Sequence, residues 1–169
     1  MKLLPLDSPA LIELVAGWLS QPENYKWLDF GSGVQMLTPI TLKIMTQREI
    51  QVLRAYTADN GEGELPVGVV GLTNVDRNFK TASLWAVLGN KRYGGTTTDA
   101  CRMMLTLAFG ELGLAAVNAW TLETNRAAQR VLERLHFKYV GRLRQCHCVD
   151  GQRFDRLLYD LLASEHEAS

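Results

Sequence analysis

Residues 89–97, Gly89-Asn90-Lys91-Arg92-Tyr93-Gly94-Gly95-Thr96-Thr97, carry the densest chemistry in the chain. Two cations, two adjacent glycines and two threonines follow a short apolar run at 84–88. They precede a segment whose apolar residues Ala100, Met103, Met104, Leu107 and Ala108 keep the spacing of a helix on a core. A strand feeding such a turn and then a helix is a way to hold a phosphate. Glycine lets the backbone approach, the first N–H groups of the helix lack internal partners, and the helix dipole adds about half a positive charge. No Gly-Lys-Ser/Thr closes the turn, and no Gly-x-Gly-x-x-Gly is present, which excludes the nucleotide-hydrolase loop and the dinucleotide fingerprint.

Other candidates are dispersed. Asp76 stands in a turn beside the strand that leads into the loop; it offers a base, or simply caps its own turn. His147 offers a base from a late strand, or packs on its expected cross-strand partner Phe154. Glu123 ends a strand just before Asn125, where a carboxylate also suits a helix start. Cys146-His147-Cys148 suggests a metal. In a strand, however, His147 points away from both cysteines, and no second Cys/His pair completes four ligands, so no metal is expected. Arg144, Arg153 and Asp155 are expected to share one hairpin face as an exposed ion-pair cluster.

The elements that must position these groups are readable. Ser8 with Pro9, and Thr38 with Pro39, each pair a cap with a proline at the first helical position, giving helices over 9–20 and 38–47. Residues 21–33 read as an ordered loop or short helical turns. Strands are expected at 50–57, 66–72 and up to Leu88, with turns at 59–64 and 76–78. Gly113 ends the helix after the loop. A strand at 115–122, a helix at 125–135 and a hairpin of 137–149 with 154–162 follow, the hairpin turning at Asp150-Gly151. Residues 1–163 are expected to form one domain and 164–169 a frayed polar tail.

Composition narrows the function. The chain has 169 residues, and its 18 basic and 18 acidic side chains cancel, so neither nucleic acid nor an anionic membrane is the expected partner. No apolar run reaches the ~20 residues of a membrane span. Pro5 and Asp7 interrupt the N-terminus before a secretory core could form, and three unspaced cysteines suit a reducing compartment; the expected location is the cytoplasm.

The loop motif Arg92-Tyr93-Gly94-Gly95-Thr96-Thr97 resembles the Arg/Gln-x-x-Gly-x-Gly/Ala pyrophosphate loop of the GNAT N-acetyltransferase family, with Thr97 where Gly or Ala is usual. Asn125-Arg126-Ala127-Ala128 is similar to that family's Asn-x-x-Ser/Ala helix start, and Leu135-His136-Phe137 to its Leu-Gly-Phe. Gly141-Arg142-Leu143-Arg144 and residues 150–155 resemble the end of its ribosomal-protein-alanine acetyltransferase branch. The resemblance covers roughly residues 67–162. It implies an α/β (α+β) fold with a mixed central sheet splayed in the middle and helices on both faces. It also implies direct transfer of acetyl from acetyl-CoA to a primary amine of a small molecule or a protein N-terminus, by a monomer or homodimer. Ala86, Val87 and Leu88 would then pair with pantetheine and polarise the thioester. Arg92, Tyr93, Gly94, Gly95, Thr96 and Thr97 would hold the pyrophosphate, the Thr97 hydroxyl adding a phosphate contact, and Asn125 would hold pantetheine or place the acceptor. Asp76, Asn125 and His147 are the catalytic candidates. Leu132 falls where the family often has a Tyr acid, which keeps a second possibility open: a CoA-binding sensor or scaffold without strong catalysis.

Overall fold

The computed structural model describes residues 1–166. Its elements run β1 (Leu3–Pro5), α1 (Pro9–Leu19), α2 (Pro22–Tyr25), α3 (Pro39–Thr46), β2 (Val52–Asp59), β3 (Glu64–Asp76), β4 (Thr81–Leu88), α4 (Thr96–Gly110), β5 (Ala116–Leu122), α5 (Arg126–Arg134), β6 (Lys138–Val149) and β7 (Gln152–Leu162). The helix starts follow their caps: Ser8 Oγ accepts from Leu11 N–H at 3.2 Å, Thr38 Oγ1 from Thr41 N–H at 3.2 Å, and Asn125 Oδ1 from Ala128 N–H at 3.2 Å.

The strands form one sheet in the order β1-β2-β3-β4-β5-β7-β6. Every neighbouring pair is antiparallel except β4–β5, which is parallel and brief. Thr81, Ala82 and Ser83 face Ala116, Val117 and Asn118, and no pairing continues beyond Ser83. The sheet therefore opens into a V between the second half of β4 and the second half of β5. Helices α1 and α3 close one face with Val15, Leu19 and Leu42 over Val69 and Val87. On the other face, α4 and α5 pack Ala100, Met104 and Leu132 over Val70, Leu72 and Leu84. This is the mixed, splayed sheet with helices on both faces that the family resemblance implies.

Some local expectations change. Strand β1 was not foreseen; at three residues ending in a proline it is an edge strand that no period-2 pattern announces. In α4, Met103 is exposed while Cys101 and Leu105 are buried. The stripe keeps Ala100, Met104 and Ala108 but is rotated, because α4 packs against α5 as well as the sheet, and Cys101 faces Val131 and Leu132 across a cavity. The tail is tied down as far as it is described. Glu165 Oε1 accepts the Leu162 N–H at 3.0 Å and pairs with Lys138, and His166 Nε2 meets Thr106 Oγ1 at 2.9 Å. The last three residues of the expected tail, 167–169, lie outside the described residues.

The β6–β7 hairpin turns at Asp150 (φ 50°) and Gly151 (φ 79°), the left-handed pair that a two-residue turn requires. His147 faces Phe154 as expected. The ion-pair cluster does not form as expected, because β6 is irregular between Leu143 and His147, with Gln145 at φ 51°. That irregularity brings Arg142, not Arg144, onto Asp155 at 2.9 Å, while Arg153 donates to the Gln145 carbonyl.

Candidate active site

The phosphate-type loop is aimed by its neighbours. The β2–β3 register shifts after Tyr56, and the Val67 carbonyl accepts both Gly89 N–H and Asn90 N–H at 2.8 Å, fixing where the chain leaves β4. Gly89 has no alternative: a Cβ there would sit 2.0 Å from the Trp18 ring of α1. Trp18 in turn gives its carbonyl to Asn24 Nδ2 (2.9 Å), and buried Asn24 accepts Lys91 Nζ at 2.7 Å. Lys91 also donates to the Leu88 carbonyl. Partial desolvation lowers the Lys91 pKa, opposed by nearby Glu23.

Beneath the loop, the Tyr56 ring lies against Gly68, where a Cβ would come within 2.2 Å of it. The Tyr56 hydroxyl reaches Thr97 Oγ1 at 3.0 Å and the Val87 carbonyl at 3.4 Å. Burial pushes this phenol up to about 12, opposed by the Thr97 hydrogen bond. The Thr97 hydroxyl is thus shared with Tyr56, and Thr97 also lines the groove in front of the α4 start.

The start of α4 is bare. Gly95, its N-cap, sits at φ 93°, a left-handed backbone suited to glycine, and no side chain caps the helix, in contrast to α1, α3 and α5. The orphan N–H groups of the first turn face a groove walled by Gly94, Gly95 and Thr97 on one side and by α5 on the other. Ala86, Val87, Leu88 and Asn125 also line it. Arg92, Tyr93 and Thr96 are not in its lining. The Arg92 N–H donates to Asn90 Oδ1, and Thr96 Oγ1 donates to the Tyr93 carbonyl, so these residues shape the loop from outside.

The groove continues through the V of the sheet into a deeper cavity lined by Leu84, Ala86, Cys101, Asn125 and Leu132, and by Trp27, Trp85 and Trp120 toward the α1 side. Trp85 lies against Gly71, where a Cβ would meet the indole at 2.7 Å, and Phe30 packs edge-on against it at 4.8 Å. Behind Trp120, the Arg156 guanidinium stacks 3.9 Å from the ring centroid and binds Asp29 Oδ2 at 2.9 Å. Burial raises the Asp29 pKa, but Arg156 and the N–H groups of Gly31 and Gly33 outweigh it and hold the carboxylate below its usual value.

His147 is 1 % exposed, and both its ring nitrogens are engaged. Nε2 meets the Lys26 carbonyl at 2.8 Å, and Nδ1 accepts from Arg156 at 2.9 Å. That assignment makes the ring neutral, with no lone pair left over. Burial lowers its pKa below 6.5; the Lys26 carbonyl opposes this, while the Arg156 charge adds to it. The unfolded chain therefore takes up this proton first as pH falls. The stability linked to His147 is complete above about pH 6.5 and is lost as pH drops through the lower folded value. Denaturation midpoints are expected to fall between pH 7 and 5, and less steeply in His147→Gln. His166 shifts in the same direction, so part of the slope remains. An unchanged slope in the variant would exclude His147 as a source.

Asp76 is elsewhere. It pairs with Thr81, five residues and about 17 Å of strand before Ala86, and its Oδ1 accepts the Asn78 and Phe79 N–H groups, each at 2.9 Å. It caps its turn and reaches neither cavity, so its candidacy as a base is corrected. Glu123 accepts the Asp155 N–H and pairs with Arg142 at 3.7 Å. Cys146 and Cys148 are exposed on the side opposite buried His147, and no metal-type cluster occurs among the described residues. Lys91 was visible in the loop without a role; the three tryptophans gave no signal, because they come from three separate segments.

The family model for the acetyltransferase (GNAT) domain matches residues 2–138. The chain belongs to that family. YdaF of Bacillus subtilis (strain 168), provisionally named a ribosomal N-acetyltransferase, is 30% identical over 172 residues, covering 96% of this chain and 90% of YdaF. Among solved structures, spermidine N-acetyltransferase from Vibrio cholerae in complex with CoA and spermine superposes with a TM-score of 0.81 at 14% identity, covering 97% of this chain and 96% of the other. Mycobacterium smegmatis RimJ in complex with CoA-disulfide gives 0.79 at 20%, covering 96% and 82%. At those identities the likeness is one of fold. This GNAT protein is an acetyl-CoA-dependent acyltransferase of the ribosomal-protein acetyltransferase-like kind, acting on an amine. Its residues suit that co-substrate: the uncapped α4 start fits a pyrophosphate, and the unpaired edge of β4 fits an amide-bearing arm. No helix among the described residues is long and apolar enough to cross a membrane.

Proposed function

We propose that this protein transfers acetyl from acetyl-CoA directly to the α-amine of a protein N-terminus, with small primary amines as the second acceptor class. The observation that carries the reading is the passage through the V of the sheet. It joins the bare α4 start on one side to an opening lined by Trp27, Trp85 and Trp120 on the other. No carboxylate is among the lining residues of that deeper cavity. A polyamine brings further ammonium groups that need such partners, whereas an N-terminal residue brings one amine and a peptide backbone.

In this reading, acetyl-CoA supplies the activated acyl group and the chain supplies placement. The Gly94–Thr98 stretch (residues 94–98) and Lys91 hold the pyrophosphate end. The unpaired edge of β4 near Ala86 offers an N–H to the carbonyl, and such a donor contributes roughly 3 kcal/mol to the transition state. Asn125 uses its Oδ1 to cap α5, which leaves its NH2 group for the pantetheine arm or the acceptor. His147 acts through Arg156 and Trp120 as a positioning residue and has no free lone pair for a proton. The attacking amine loses its proton to solvent through the opening. Residues 1–163 form one domain in this account, working in the cytoplasm as a monomer or homodimer without metal, membrane or nucleic acid.

Leu132 gives the second reading its motive. It is 6 % exposed and lines the deep cavity where a tyrosine acid would stand, so a CoA-binding sensor or scaffold would show this same groove. Amine-dependent release of free CoA, assayed with short peptides and with small amines, separates the two. Tight acetyl-CoA binding with no release for any acceptor would favour the sensor. Leu132→Tyr is expected to raise turnover several-fold, by giving the departing thiolate a proton; an unchanged rate would exclude a missing acid as the limit.

A further inference from the structure

The short segment that brings Trp27 and Leu28 to the deep cavity is clamped on both sides. Before it, the Lys26 carbonyl meets buried His147 Nε2 at 2.8 Å; after it, Asp29 Oδ2 accepts from Arg156 at 2.9 Å. Both anchors stand on the β6–β7 hairpin, 121 and 127 positions later in the chain. Asp29 Oδ1 also accepts the N–H groups of Gly31 and Gly33, at 2.8 and 3.0 Å, which fixes the turn that follows. Trp27 and Leu28 therefore line the cavity from a fixed backbone, together with Trp85 and Trp120. Trp85 is backed by Phe30, and Trp120 by Arg156. Three indoles and a leucine form a wall that needs no rearrangement to receive a side chain.

The chemistry of that wall decides which side chain it receives. Among the described residues the cavity lining carries no charged group; its polar members are Thr97, Thr121 and Asn125. An acidic or basic side chain entering it loses water and finds no opposite charge, which is costly. An indole face can hold a cation in place of a carboxylate. One face of Trp27, however, already carries the Lys26 ammonium at 4.4 Å, and one face of Trp120 the Arg156 guanidinium at 3.9 Å, so an added cation meets like charge. An apolar side chain has the opposite balance and gains by burial against the indoles. We propose that Trp27, Leu28, Trp85 and Trp120 form a side-chain pocket that selects acceptors whose first residue is large and apolar, such as leucine, methionine or phenylalanine, over alanine and over charged residues. This deepens the N-terminal α-amine reading above and rests on it. The added methyl and methylene groups of leucine give it roughly a 30-fold advantage over alanine in kcat/KM.

The test measures kcat/KM at saturating acetyl-CoA for four peptides that differ only in their first residue: leucine, alanine, glutamate and lysine. The expected result is that wild type uses the leucine peptide about 30-fold better than the alanine peptide, and better still relative to the two charged ones. Trp27→Ala, checked for folding by its melt and by acetyl-CoA titration, is expected to reduce the leucine-over-alanine preference to roughly threefold, through KM. A folded Trp27→Ala that kept the full preference would overturn the assignment of the pocket to this segment. Wild type decides the matter even if the variant does not fold: equal rates for leucine and alanine, or the highest rate with alanine, glutamate or lysine, would overturn the proposal. Binding of acetyl-CoA with no acetylation of any of the four peptides would instead overturn the N-terminal reading on which the pocket rests.

Discussion

Gly95→Trp is expected to weaken acetyl-CoA binding by at least about 100-fold while the protein remains folded. A Cβ at Gly95 would meet nothing within 4 Å, and Gly95 walls the groove, so the added indole is expected to fill the groove and leave the core undisturbed. The backbone cost is separate. At φ 93° any L side chain is strained by about 1–3 kcal/mol, which for a domain of this size lowers Tm by roughly 2–10 °C. Gly95→Ala shares that strain without the bulk. The measurement is titration of acetyl-CoA into all three proteins, with thermal melts alongside. Affinity lost in the Trp variant but largely retained in the Ala variant places the pyrophosphate on this turn. Undiminished binding to Gly95→Trp would mean that the cofactor lies elsewhere.

The second large effect is expected on the acceptor side. Arg156 joins the 26–33 loop to the C-terminal hairpin. It holds Asp29, supplies the hydrogen bond at His147 Nδ1 and stacks on Trp120. Arg156→Met keeps the length but leaves a partly buried carboxylate and a buried imidazole nitrogen without their donor. With side-chain exposures of 17% and 22%, the Arg156–Asp29 pair is shielded but not sealed, so a loss of about 2–4 kcal/mol is expected, or roughly 5–12 °C in Tm. Asp29→Asn combined with Arg156→Met should recover part of that loss, since the stranded charge is then gone. The acceptor KM should rise in the single variant, because Trp27 and Leu28 line the cavity next to Asp29, whereas the acetyl-CoA dissociation constant should stay within about twofold. A melting shift below 2 °C would reduce this pair to an ordinary surface bridge.

What could be read without coordinates divides along a physical line. The caps at Ser8 and Thr38, the Asp150-Gly151 turn and the glycine-bearing loop are local signals, each complete within a few residues, and each lies where the sequence places it. The splayed sheet also followed, because the resemblance to the acetyltransferase family implied it. Features that depend on distant segments did not. Asp29 meets Arg156 across 127 positions, and no local pattern marks either as part of a site. Lys91 stood in the loop motif, yet its role depends on Asn24, 67 positions earlier. Asp76 shows the converse failure. It has a residue type suited to chemistry and is already engaged by its own turn.

Among the described residues, the three pairs at 81–83 and 116–118 are the only strand pairing between the sub-sheet β1–β4 and the sub-sheet β5–β7. Mechanically, the molecule is two plates stitched at one end, with the stitching finished by whatever lies in the V. A chain of amides laid there would add rungs to the β4 edge and draw the plates together. Binding in that way would stiffen the protein as well as occupy it. Each turnover would then have to undo those rungs before the spent carrier left, so backbone contacts that raised affinity would also slow release.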